Sequence, residues 1–191
     1  MLRARVVLVL ALVVVAAPCF AQRLPGNVVP RHYDITVEPN LAEATFGGTE
    51  KIAVRLQKPA TAIVLNAAEI TFDRVSVTSA GRTQEATVTA DAEKEQVTFT
   101  VPRQIAAGPA TIDITYRGIL NDQLRGLYLS KANNRRYAVT QLEATDARRM
   151  FPSFDEPAMN ATFSLTAIVD DGDHAISNGA VLSDKPGPSS G

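Results

Sequence analysis

Polar and apolar residues alternate with a period of two over 32–37, 50–56 and 71–77, which predicts strands that turn one face into a core. Further runs at 62–65, 96–101, 110–119, 127–129, 137–140 and 162–169 complete the set. Between them lie the turn-forming clusters Ser79-Ala80-Gly81, Asp91-Ala92-Glu93-Lys94 and Gly108-Pro109. No stretch sustains a helical period, and a single helical turn over 146–150 is the one exception predicted. Many short strands at close spacing predict an all-β domain, either a sandwich or a curved pair of sheets.

The amino terminus follows a different pattern. Arg3 and Arg5 precede an apolar run over 6–17 and the small-x-small exit Cys19-Phe20-Ala21, which predicts a secretory signal peptide over 1–21. A retained anchor is the alternative, although the run falls short of the ~20 residues of a spanning helix. Pro18 before Cys19 argues against lipidation. Export to the periplasm or the cell exterior is therefore expected, with membrane attachment if the leader stays. Cleavage removes two of 19 basic residues and none of the 20 acids, and it takes the only cysteine. A net acidic domain over 22–191 offers no electrostatic basis for binding nucleic acid, DNA or RNA, and without thiols it must be held by its core. At this length one domain buries roughly 70% of its unfolded surface.

The run 140–157, TQLEATDARRMFPSFDEP, gathers two phenylalanines, two arginines, four acids and two prolines, a mixture that neither core packing nor a solvated loop calls for. It resembles the pattern T-Q-x-E-x-x-x-A-R-x-x-F-P-C-F-D-E-P of the M1 family of zinc aminopeptidases, the aminopeptidase N-like gluzincins. The matches are Thr140, Gln141, Glu143, Ala147, Arg148, Phe151, Pro152, Phe154, Asp155, Glu156 and Pro157. Leu24-Pro25 through Tyr33-Asp34 is similar to the opening of that family's amino-terminal domain, and Gly126-Leu127-Tyr128 to its G-[FL]-Y. The resemblance implies an amino-terminal β-domain shaped as a saddle of antiparallel strands, cut short near its end at Gly191. It also implies a peptide substrate and a partner, the M1 catalytic domain, in which zinc is held. The family's H-E-x-x-H and G-x-M-E-N are missing here, and the two histidines, His32 and His174, are isolated. With no catalytic residue and no metal ligand of its own, the chain is expected to be inactive alone and to carry no cofactor.

Within the run, the resemblance implies that Glu143 grips the substrate's terminal ammonium and that Gln141 lines the pocket for the first side chain. The chemistry suits an exopeptidase. A glutamate is ionised at neutral pH while a peptide α-amino group remains largely protonated, and an ammonium offers three donors to a carboxylate. Asp155 and Glu156 are adjacent and so point to opposite faces of an extended chain; loop-holding ion pairs with Arg148 or Arg149 are expected rather than a catalytic pair. Ser153 stands where the family commonly has Cys. The acidic turn 170–174 lacks calcium-loop spacing, and Asn160-Ala161-Thr162 matches a glycosylation sequon. Two other functions compete: a non-catalytic M1-like binding or scaffold module, against which retention of T-Q-x-E speaks, and a sugar-binding sandwich, against which the lack of Trp speaks.

Overall fold

The computed structural model describes residues 23–187; the leader predicted over 1–21 lies outside them. Eleven strands occur among the described residues: β1 (Val28–Asn40), β2 (Thr45–Leu56), β3 (Ala60–Asn66), β4 (Ile70–Ser79), β5 (Arg82–Glu85), β6 (Thr87–Asp91), β7 (Gln96–Ile105), β8 (Gly108–Ile119), β9 (Gly126–Ala132), β10 (Arg135–Gln141) and β11 (Thr162–Ala167). The turn predicted over 146–150 is a 3-10 turn, Ala147–Arg149. A six-stranded sheet runs in the order β11-β1-β2-β8-β4-β5, beside a three-stranded sheet β3-β7-β6 and the hairpin β9-β10. All pairs are antiparallel except β1 with β11, which run parallel.

The period-two alternation explains the layering. On β2, Phe46, Ile52, Val54 and Leu56 turn inward while Thr49, Lys51 and Arg55 turn out. The inward residues of the large sheet, including Tyr33, Ile35, Val77, Ile112 and Ile114, meet Ile63, Leu65, Val97 and Phe99 from the three-stranded sheet in one buried cluster. Phe72 and Phe99 cross between the sheets edge to face at 5.5 Å, the geometry that aromatic quadrupoles favour. Close approach sets Gly48, which lies opposite Tyr116: a Cβ there would sit 2.3 Å from the Tyr116 ring.

β5 and β6 carry no sequence signal because they have no buried face: each residue in them is exposed or half-buried. β11 is similarly exposed, with Phe163 and Leu165 at 58% and 50%, and it ends at Ala167 rather than Val169. Its direction also departs from a purely antiparallel domain, since it returns to the β1 edge through the long connection from β10.

Candidate functional site

β9 and β10 are joined by Asn133-Asn134, whose φ values of 50° and 62° suit a two-residue hairpin turn with positive φ at both positions. The hairpin delivers Gln141 as the last residue of β10, opposite Gly126. Glu143 follows two residues later, and the Glu143–Ala144 peptide is cis. Both side chains are exposed. The chain then turns back, with Asp146 N–H donating to the Leu142 carbonyl at 2.9 Å, and enters the core as Met150, Phe151 and Phe154.

Arginines and acids fasten this turn. Arg149 is nearly buried and reaches three carboxylates: Asp146 through Nε at 3.0 Å, Glu69 through Nη1 at 2.8 Å and Glu95 through Nη2 at 2.5 Å. Arg148 bonds Asp155 at 2.9 Å and Glu95 at 3.3 Å. Arg125, just before β9, closes on Asp146 at 2.9 Å. Burial pushes the Asp146 carboxyl up, but the hydrogen bonds and charges of Arg125 and Arg149 together outweigh it and hold it below the ordinary aspartate range. Glu95 lies in the turn between β6 and β7 and Glu69 just before β4, so the network ties all three sheets to the segment that carries Glu143.

Further along, Asn66 and Ser153 exchange backbone hydrogen bonds at 2.7 and 2.9 Å, and Phe154 N–H donates to the Tyr33 hydroxyl at 3.1 Å. Asp155 and Glu156 diverge: the first pairs with Arg148, while the second accepts the Leu24 N–H. The Ser153 hydroxyl is buried without a hydrogen-bond partner among the described residues, and His174 is exposed, so no Ser–His pair forms there. His32 touches only hydroxyls, with Nδ1 2.7 Å from Thr162 Oγ1 and Nε2 3.3 Å from Ser164 Oγ. No group of three or more His, Cys, Asp or Glu able to hold a metal occurs among the described residues, so these residues do not fit zinc.

Of the acids in and around 140–157, Asp146, Asp155, Glu156, Glu69 and Glu95 all have partners. Glu143 makes no hydrogen bond or ion pair among the described residues. The sequence alone did not single out Glu69, Glu95 or Arg125. Buried guanidiniums at 148 and 149 require distant carboxylates, but nothing local says which.

Gly126 is fixed by this packing. Its φ is +65°, and a Cβ would lie 2.5 Å from the Arg149 Cβ and 3.2 Å from the Asp146 carbonyl oxygen. Gly126→Ala is expected to cost about 2 kcal/mol or more, the sum of left-handed strain and overpacking. A urea titration that left the unfolding midpoint within error of the parent would refute this.

The described residues thus form a mainly antiparallel β-domain with a core-anchored, arginine-clamped segment on which Glu143 has no partner. The chain matches the Peptidase M1 N-terminal domain over residues 29–190, and it belongs to that family. It is 36% identical over 167 residues to Aminopeptidase M1-D of Oryza sativa subsp. japonica, covering 85% of this chain and 19% of that protein. It is 37% identical over 157 residues to Aminopeptidase 2, mitochondrial, of Saccharomyces cerevisiae, covering 77% and 16%. Against the yeast Alanine/arginine aminopeptidase it is 38% identical over 155 residues, covering 76% and 18%. The chain thus spans about a fifth or less of the length of these relatives.

Proposed function

We propose that this chain supplies the amino-terminus recognition of an exported M1 aminopeptidase, with Glu143 gripping the substrate ammonium and Gln141 flanking the first side chain. The observation that carries the reading is the uncommitted Glu143 carboxylate on a segment whose neighbouring acids are all paired. A rigid support and a free acceptor are what recognition of a terminal ammonium needs. Hydrolysis itself belongs to a catalytic domain with zinc, which supplies a Lewis acid and an activated water when bound; this chain holds and orients. By itself it is inert. Export rests on the leader pattern over 1–21; among the described residues no helix is long and apolar enough to cross a membrane.

With an M1 catalytic domain supplied, Glu143→Gln keeps the shape and removes the charge. A charge-assisted contact of ~1.5–3 kcal/mol then disappears, and kcat/KM on peptides with a free amino terminus is expected to fall about ten- to a hundredfold. Acetylated peptides, tested as competing ligands, should bind the parent and the variant alike. Equal losses for free and blocked peptides would make Glu143 a structural residue.

A further inference from the structure

The β9-β10 sheet has two strands, and only its β9 edge is covered among the described residues. There Asn121 bridges Tyr128, and Leu129 N–H donates to the Asn121 carbonyl at 2.8 Å. β10 pairs with β9 alone. The turn determines which β10 groups are free. In a two-residue hairpin the flanking residues, here Ala132 and Arg135, form a hydrogen-bonded pair, and bonded and non-bonded pairs alternate from there. With Tyr137 opposite Ser130 and Val139 opposite Tyr128, the peptide groups of Tyr137 and Val139 turn toward β9. Those of Arg136, Ala138 and Thr140 turn to the open edge, where no backbone hydrogen bond uses them among the described residues. β10 contains no proline and no register shift, so it lacks two of the devices that blunt an edge.

The two ends of this edge carry opposite charge. Past Gln141 stands the unpaired carboxylate of Glu143. At the hairpin end of β10 stands Arg135, exposed and without an ion pair among the described residues. Arg136 beside it donates to the Leu41 and Ala42 carbonyls at 2.8 Å each, which ties the tip to the β1–β2 turn. At ~3.3 Å per residue, the span from Arg135 to Glu143 is about 26 Å, matched by an extended peptide of about seven or eight residues.

We propose that the open edge of β10 takes an extended peptide as an antiparallel third strand, its free amino terminus at Glu143 and an acidic group about seven residues downstream at Arg135. The proposal rests on the reading of Glu143 given above and adds a direction, a length and a charge preference. Main-chain bonds to Arg136, Ala138 and Thr140 give affinity that tolerates many sequences, as in other strand additions. The charges at the two ends fix polarity, since the reversed peptide would set ammonium against arginine.

Calorimetric titration of the full chain with unlabelled octapeptides tests this. A parent peptide with a free amino terminus and Glu at positions seven and eight is compared with versions N-methylated at each amide in turn, acetylated, or carrying Lys at the downstream positions. N-methylation at every second residue is expected to weaken binding about tenfold, with the intervening positions unaffected. The Lys version should lose a similar factor and regain it on the Arg135→Glu chain, whose circular dichroism should match the parent. Loss on acetylation without the two-residue periodicity would keep the ammonium reading and overturn strand addition. Periodicity without an acetylation effect would overturn the ammonium reading and the proposed polarity with it. Absence of binding by every peptide at millimolar concentration would overturn the strand addition outright.

Discussion

Arg149→Met is expected to destabilise the domain by about 3 kcal/mol and to lower its melting temperature by roughly 6–12 °C. The guanidinium spends its three nitrogens on Asp146, Glu69 and Glu95, and its removal leaves those acids facing one another. Breaking a buried pair by deleting one partner costs ~3–5 kcal/mol. Glu69 and Glu95 are 41% and 32% exposed, so water offsets part of the loss and the lower end applies. Arg149→Lys keeps the charge but cannot reach three carboxylates at once, and it should fall between the two. Acid sensitivity should change as well. Asp146 has a lowered pKa in the folded state, so it contributes stability above its unfolded value, and this is lost as pH falls from 3.8 downward. In Arg149→Met that acid-side loss should shrink, because Asp146 keeps only Arg125. A methionine variant that unfolds at the parent's urea midpoint would show that the network is not holding the segment.

The sequence makes some of this legible and hides the rest, for physical reasons. Strands 32–37 and 50–56 are readable because one face of each is buried and a period of two follows; over 71–77 the period holds only in part, since the register shifts between Phe72 and Arg74 and Ser76 is buried between Val75 and Val77. β5 and β6 bury neither face, so no constraint marks them. The run 140–157 is conspicuous because its residues serve distant partners rather than their neighbours: Arg149 reaches Glu95, Phe154 reaches Tyr33, and Glu156 reaches Leu24. Spacing along the chain shows that such residues need partners. Which partners they find depends on how three sheets meet, and Arg125, Glu69 and Glu95 could not be picked out before the fold was known. One signal was present and easily passed over. The same alternation that turns Ile52, Val54 and Leu56 inward also turns Glu50 inward, placing an acid where an apolar residue belongs.

Glu50→Leu is therefore expected to stabilise the domain at neutral pH, by about 2 kcal/mol or more, against the usual direction of core substitutions. Glu50 is 3% exposed, and neither carboxyl oxygen has a hydrogen-bond partner among the described residues; the Tyr116 hydroxyl is also unpartnered. No salt bridge compensates it among the described residues, and its ordinary value of 4.5 is raised well upward by burial. The same surroundings push Tyr116 and Tyr33 up, chiefly through burial, with the Glu50 charge adding to it. A carboxyl whose folded pKa lies above its unfolded one favours the fold fully below 4.5 and loses that contribution as pH rises through the folded value. The advantage of Glu50→Leu should thus be smallest near pH 4 and grow toward pH 8. Glu50→Gln should share the pH trend with a smaller gain, since an amide still leaves buried polar atoms unpaired. Urea unfolding of the three proteins across that range separates the outcomes. A leucine advantage that does not vary with pH would mean that Glu50 titrates alike in the folded and the unfolded chain, so that burial does not raise its pKa. A leucine variant less stable than the parent at every pH would mean Glu50 has a partner that compensates its burial.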